Sequence, residues 1–361
     1  MNKNYYAIIM AGGIGSRFWP ISRTSHPKQF IDILGTGKTL IQNTYDRFLK
    51  VCPKENIYVV TNDIYTGLVK KQLPDMADDQ ILTEPVMRNT APCIAYGSFK
   101  IESLNPDAAI VVAPSDHLIL DEDAFITAIK KSLEVAEKNN CLITLGIKPS
   151  RPDTGYGYIQ YTSQNFNKDF FKVKTFTEKP TLEIAKTFLQ SGDFLWNAGI
   201  FVWSAKAIVN AFSQYLPEMH EIFAEARPVY NTADEKVHLH KSYLQCTNIS
   251  IDYGIMEKAD NVYVLPSEFG WSDLGTWASI YQLAEKDYVG NAVIPSEKVI
   301  MYDSSDCMVN VPGEKLVILQ GLHDFIVVEA NNTLLICPRD QEQNVKKIVA
   351  DVKQQFGAKY I

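Results

Sequence analysis

YYAIIM (residues 5–10) runs directly into AGGIGSRFWPISRTSHPKQF (residues 11–30), and this junction decides the fold class. A short apolar run that reads as a strand and ends in a glycine-rich turn is the opening of an α/β sheet with a phosphate-binding turn. Gly12, Gly13 and Gly15 lack Cβ atoms, so the backbone around Ala11 and Ser16 can take positive φ and aim N–H groups at an anion. Arg17 adds charge as a planar fork and Lys28 as a mobile point charge, while Pro20 and Pro27 stiffen the loop between them. Three glycines alone describe an ordinary turn beside a solvated basic loop. With Arg, Trp-Pro, Ser-Arg and Pro-Lys at set spacings, phosphate binding is the stronger reading.

Two commoner phosphate motifs fit poorly. The dinucleotide fingerprint G-x-G-x-x-G, started at Gly13, needs a third glycine where Phe18 stands. A Walker A loop ending at Gly37-Lys38-Thr39 would need its first glycine at Asp32. The segment from Gly35 to Thr39 therefore reads as a turn before a helix that starts near Leu40, and a dehydrogenase or P-loop NTPase is disfavoured.

Outward from the turn, strands and helices alternate through the first two hundred residues. IYVVT (57–61), AAIVVAP (108–114) and CLITLGI (141–147) are short β-branched runs suited to strands buried on both faces. Residues 90–104 and 124–139 space their apolar positions by three and four, as helices do. The alternation predicts a doubly wound, mostly parallel sheet whose ligands bind beyond the carboxyl ends of the strands. Residues 11–28 and 114–117 both fall at such ends. Beyond about residue 283 the pattern becomes short strands and turns, in AVIP, KVIMYDSS, CMVNVPGEKLVILQG and DFIVVEANNTLLICP, with a helix candidate at 341–356. The predicted division is 1–282 for an α/β catalytic domain and 283–361 for a small all-β domain with a terminal helix.

The chain has 361 residues and a net charge of −7, long enough for a substantial core and about two domains. That charge argues against general attraction to nucleic acid or an anionic membrane, so an anionic substrate must be held by local cations. Six scattered cysteines without a CxxC pair suit reduced thiols in the cytoplasm. The N-terminal apolar run is too short for a signal peptide, and no run approaches a membrane span.

Residues 11–30 resemble the signature of the sugar-phosphate nucleotidyltransferases, and the WPxSR and PKQF elements are similar to those of the mannose-1-phosphate guanylyltransferase branch. EPVMRNTAPCIAY (84–96), APSDHLI (113–119), TGYGYI (154–159), FTEKP (176–180), WNAGIFVW (196–203), SIDYGIMEK (250–258) and GWSDLGTW (270–277) resemble family blocks in family order. The sequence departs from the commonest wording with Gly254 where alanine is frequent and Ala198 where serine is frequent. The resemblance implies a Rossmann-like nucleotidyltransferase sheet and a short left-handed β-helix or similar C-terminal domain. The strands alone leave a meander equally open. It also implies a homodimer, and the chain ends without the isomerase domain of longer relatives, so a second isomerase activity is not expected.

The implied substrates are GTP and mannose 1-phosphate, with Mg²⁺ as cofactor. A sugar-phosphate oxygen would attack the α-phosphorus in line as pyrophosphate leaves, so charge and positioning do most of the work and no general base is needed. Asp116 in PSDH and Asp273 in WSDLG match the family's metal-binding aspartates, and Mg²⁺ favours such carboxylates with substrate phosphates. His117 reads as a supporting or packing neighbour. Arg17 is expected to grip the β- and γ-phosphates and Lys28 to meet charge at the α-phosphorus; Arg23 reads equally well as a surface residue. Ala11, Gly12, Gly13, Gly15, Ser16 and Ser115 complete the nucleotide turn. Glu84, Arg88, Asn89 and Thr90 offer acceptors and donors for the guanine edge, although Asn89 also reads as a helix cap. Gly157, Glu178, Lys179 and Asn197 match the sugar-site positions; Asp252 reads as a sugar contact or a structural hydrogen bond. The alternatives are a nucleotidyltransferase for another base or hexose, and a non-catalytic regulatory subunit that senses sugar nucleotides.

Overall fold

The computed structural model describes residues 1–294, 298–313 and 315–361; Pro295 of AVIP and Glu314 of the longer C-terminal run lie outside the described residues. The chain divides into two units. The first holds Met1–Gly12, Thr44–Ser115 and Ile119–Trp271, the second Gly13–Asn43, Asp116–Leu118 and Ser272–Ile361.

The first unit is built on nine strands: β1 (Tyr5–Ala11), β2 (Ile57–Asn62), β3 (Ile81–Glu84), β4 (Ala109–Pro114), β5 (Leu142–Ile147), β6 (Gly157–Phe166), β7 (Phe170–Glu178), β8 (Phe194–Ser204) and β9 (Val262–Ser267). Their order across the sheet is β3-β2-β1-β4-β8-β5-β9-β7-β6. Pairing is parallel from β3 to β4 and between β5 and β9, and antiparallel wherever β7 or β8 takes part. Seven strands thus point one way, the mostly parallel sheet the βα alternation predicts. Every residue of β2 and β5 is buried, which is why those runs lack the polar alternation of one-sided strands. Parallel register sets Met10 beside Pro114, and the Ser115 N–H donates to the Met10 carbonyl at 2.9 Å. The ends of β1 and β4, carrying Ala11 and Ser115, therefore leave the sheet together.

The helices follow their apolar spacing. Thr90–Leu104 is buried continuously from Ala91 to Ile101. Glu122–Lys138 starts two residues before its apolar pattern, because the Asp121 carboxylate accepts the Ala124 N–H at 2.9 Å and acidic Glu122 and Asp123 suit the helix dipole. One buried ion pair ties helices together. Lys100 Nζ lies 2.6 Å from Glu235 Oε2, and Glu235 also accepts from the Tyr96 hydroxyl at 2.9 Å and the Asn231 N–H at 2.6 Å. Tyr96 and Lys100 stand one turn apart and present both donors to one carboxylate.

The second unit packs the glycine loop's continuation with the C-terminal strands. These are β10 (Ala292–Val293), β11 (Val299–Tyr302), β12 (Met308–Asn310), β13 (Val317–Gln320), β14 (Phe325–Ala330) and β15 (Thr333–Pro338). Val299 pairs with Val317, Ser305 with His323 and Met308 with Ile326, all parallel and each eighteen positions on. A meander would pair neighbours antiparallel, so the parallel stride resolves the alternatives in favour of a β-helix-like coil, closed by the antiparallel β14–β15 pair. The terminal α-helix is Val345–Phe356, shorter than the 341–356 expected, because Arg339–Asn344 after Pro338 winds as a 3₁₀ segment. Phe18, Trp19, Leu40, Trp277, Met308, Ile326 and Val345 share one core. All six cysteines are buried free thiols, and among the described residues no helix is long and apolar enough to cross a membrane.

Leaving one member of a buried ion pair alone costs far more than the pair contributes. Lys100→Met is expected to destabilise the protein by about 3–5 kcal/mol, and Lys100→Met with Glu235→Leu to regain a large part of that. Urea unfolding midpoints measure both; a single variant within about 1 kcal/mol of wild type would show that the pair matters little.

Candidate functional site

A cavity of about 290 Å³ in the second unit is lined by Gly15, Ser16, Arg17, Lys28, Asp116 and Asp273, with His117, Gly275 and Lys346 beside them. The backbone shapes it first. Gly15 has φ +64°, and a Cβ there would stand 2.6 Å from Lys28 Cβ; only glycine lets the turn close over the lysine. The Ser22 hydroxyl donates to the Ile14 carbonyl at 2.6 Å and braces the same turn. Phe18 then buries its ring edge-on against Trp277 at 5.1 Å.

Lys28 is the hub of the cavity. Its side chain is 5% exposed, and its Nζ sits 2.9 Å from Asp116 Oδ2 while donating to the carbonyls of Asp273 at 2.8 Å and Leu274 at 3.0 Å. An ammonium has three N–H donors, so this one is fully engaged. The mobile point charge expected from the sequence is instead held in one place by three acceptors. Burial pushes the Asp116 carboxyl upward, but the charges of Lys28 and then His117 outweigh it and hold the group below the usual carboxylate range. Asp116 is thus ionised at neutral pH. Asp273 Oδ1 accepts the Gly275 N–H at 2.8 Å and shapes the cavity's own turn.

Among the described residues, none is a hydrogen-bond partner for the buried Arg17 Nε. A buried orphan donor beside a polar cavity is what an anion site leaves open. Arg23 is neither of the two things expected of it. It is buried, and its guanidinium donates to the carbonyls of Pro20 at 3.1 Å and Ala330 at 3.0 Å and to the Thr333 hydroxyl at 2.9 Å, which makes it a structural clamp. The donor set also bears on a divalent cation. Among the described residues no three or more His, Cys, Asp or Glu side chains gather to hold a metal, whereas two carboxylates share this cavity. That fits a hard ion that takes one or two carboxylates and draws its other oxygens from substrate phosphates.

The first unit carries the remaining expected residues. Glu84, at the end of β3, is buried, and one oxygen accepts the Tyr243 hydroxyl; the other lies 3.5 Å from where a Cβ on Gly12 would be. Burial pushes the Glu84 carboxyl up to about 7, against the opposing pull of the Tyr243 hydrogen bond. Tyr243 was not legible, because it lies 159 residues from its partner. Asn89 has φ +66° and its side chain accepts the Thr90 N–H at 2.9 Å, while the Thr90 hydroxyl accepts the Ile251 N–H at 2.9 Å. Both are therefore caught up in the helix start. The Arg88 guanidinium donates to the Leu244 carbonyl at 3.2 Å.

Further along the sheet, Gly157, Glu178, Asn197 and Asp252 form a second cluster. A Cβ on Gly157 would meet Glu178 Oε2 at 2.5 Å. Lys179, with φ +47°, pairs its Nζ with Glu178 Oε1 at 2.5 Å. Asn197 donates to Asp252 Oδ1 at 2.7 Å and accepts the Gly199 N–H at 3.0 Å, so Asp252 positions Asn197. Burial pushes the Asp252 carboxyl up to about 6, only partly opposed by the Asn197 hydrogen bond.

Residues 6–289 match the family described as nucleotidyl transferase, and residues 297–352 match the MannoseP isomerase/GMP-like beta-helix domain. The chain is 35% identical over 98% of its length, and 75% of the relative's, to a mannose-1-phosphate guanylyltransferase of Salmonella montevideo. It is 33% identical to one from Escherichia coli K12, covering 96% of this chain and 73% of that one. Among solved structures it is similar to a Thermus thermophilus protein titled mannose-1-phosphate geranyltransferase, with a TM-score of 0.86, 28% identity and coverage of 97% and 99% of the two chains.

The Glu84 geometry has a measurable sign. A carboxyl raised from its ordinary 4.5 to about 7 binds its proton more readily in the folded chain, so its contribution is full below about pH 4.5 and is lost as pH rises through about 7. Glu84→Gln should gain about 3 kcal/mol on wild type between pH 5 and pH 8. Urea unfolding at a series of pH values checks this; parallel profiles for the two proteins would contradict it.

Proposed function

The chain belongs to the nucleotidyl transferase family, among relatives named mannose-1-phosphate guanylyltransferase, and on that premise we propose that it converts GTP and mannose 1-phosphate into GDP-mannose and diphosphate. The observation that carries the reading is the single cavity in which Arg17, Lys28, Asp116 and Asp273 converge. Two anionic reactants need such a concentration of fixed charge before they can approach each other. The sugar phosphate is already an anion at neutral pH, so its oxygen attacks the α-phosphorus without a base, and the bond to the bridging oxygen of pyrophosphate breaks as the new P–O bond forms.

Asp116 and Asp273 would hold Mg²⁺, which when bound supplies charge that offsets the reacting phosphates. Lys28 keeps Asp116 ionised and carries positive charge to the α-phosphorus. Arg17, whose side chain lines the cavity, grips the β- and γ-phosphates. The turn from Ala11 to Ser16, with Gly12, Gly13, Gly15 and Ser115, meets the phosphates through backbone N–H groups. Glu84, braced by Tyr243, accepts from the guanine N1–H and N2 amino edge, with Asn89 and Thr90 alongside. Gly157, Glu178, Lys179 and Asn197 receive the hexose, Lys179 meeting its phosphate. The reading places the enzyme in the cytoplasm, with residues 1–282 as catalytic domain and 283–361 as the accessory coil. The rival that shares this chemistry is a nucleotidyltransferase for a different base or hexose.

Pyrophosphate release with the four nucleoside triphosphates against mannose 1-phosphate and glucose 1-phosphate tests the proposal. Release should be fastest with GTP and mannose 1-phosphate, and Asp273→Asn should slow it by about a hundredfold or more. A different preferred pair would move the specificity. No release by folded protein that binds GDP-mannose would replace catalysis with sensing.

A further inference from the structure

Lys346 lines the same cavity as Arg17, Lys28, Asp116 and Asp273, yet it comes from the terminal helix Val345–Phe356, far from every motif the sequence offered. We propose that Lys346 contacts the β- and γ-phosphates of the nucleotide, and pyrophosphate as it leaves, as a second terminal-phosphate donor beside Arg17; this rests on the nucleotidyl-transfer reading above.

The first support is the state of Lys28. Its three donors are taken by Asp116 and two carbonyls, so it gives a terminal phosphate no N–H without releasing one of them. Arg17 lines the cavity with a guanidinium whose buried Nε has no partner among the described residues. A triphosphate with its ~4 negative charges requires more than one guanidinium and a divalent ion to balance it. The Lys28 charge is set against Asp116, and Lys346 brings a second ammonium to the cavity lining.

The second support is that the helix is built into the glycine loop rather than resting near it. Val345 is fully buried in the core that contains Phe18 and Trp19, with Ile348, Val349 and Val352 packed against the same core. Those positions form one helical face, and residue 346 lies about 100° round from 345, at the margin of that face. The Trp19 indole donates to the Tyr360 carbonyl at 2.7 Å, and Glu342 accepts the Ala278 N–H at 2.9 Å just before the helix begins. The helix is thus fixed to the segment that carries Arg17, and Lys346 is delivered with it.

Calorimetric titration of wild type, Lys346→Ala and Lys346→Arg with inorganic pyrophosphate and Mg²⁺ tests the contact without relying on turnover, with GDP-mannose as a second probe that lacks the leaving phosphates. Because Lys346 is exposed, the variants should fold, which thermal unfolding checks. Lys346→Ala should weaken pyrophosphate binding about ten- to a hundredfold, Lys346→Arg should stay within about threefold, and GDP-mannose binding should be unchanged. Pyrophosphate binding unchanged in Lys346→Ala, or absent in wild type, would overturn the proposal. So would an equal loss for both probes, since that would mark a structural role. A protein that turns over no nucleotide and sugar pair, but whose pyrophosphate binding still depends on Lys346, would count against guanylyl transfer and in favour of the contact.

Discussion

A single buried ammonium organises the second unit's cavity. Lys28 Nζ draws together its own loop, the Asp116 carboxylate and the carbonyls of Asp273 and Leu274, segments separated by as many as 246 positions. Removing a lysine from water costs several kcal/mol, and only a full set of acceptors offsets that. The requirement runs backwards through the chain. Gly15 must be glycine because of the Lys28 stem, and Ser22 must brace the turn that closes over it. Arg17, two residues on from Gly15, inherits its place from that turn.

The first unit answers to a different constraint, the burial of a sheet on both faces. It was legible wherever the signal was local. The apolar runs of β2, β4 and β5 and the glycine turn after β1 emerge within a residue or so of where their side chains predict, because a doubly covered strand must be apolar throughout. What stayed hidden was long-range. The insertion of antiparallel β8 between β4 and β5 leaves no mark on β8 itself, whose own sequence suits a strand of either direction. Tyr243 behind Glu84, and Asp252 behind Asn197, are partners that only folding brings together.

Arg23 and Lys28 show the same limit in the charged residues. Lys28 reads as a mobile point charge near a phosphate turn and Arg23 as a basic neighbour or a surface residue, since charge is what a sequence displays and burial is what it conceals. In the fold, one clamps carbonyls and the other bridges an aspartate to a turn. Lys346 is the reverse case. It is an unremarked lysine among several in the last helix, and its position beside Arg17 follows from how Val345 and its neighbours bury their face. The chain also passes from one unit to the other between Gly12 and Gly13 and again between Ser115 and Asp116, so each of those motifs, continuous in sequence, belongs half to each unit.

The C-terminal coil closes a circuit in sixteen positions from Ala292 and in eighteen from Val299, Ser305 and Met308, and this closure governs how that part of the chain can change length. Each turn of backbone pairs with the turn before and the turn after, so gain or loss of one whole circuit leaves every surviving pairing in register. A one-residue change inside a paired strand instead carries an inward residue round to the solvent side and breaks the ladder. Whole circuits, sixteen positions from Ala292 to Met308 and eighteen from Met308 to Ile326, are therefore the units in which this segment can grow or shrink with its ladders intact.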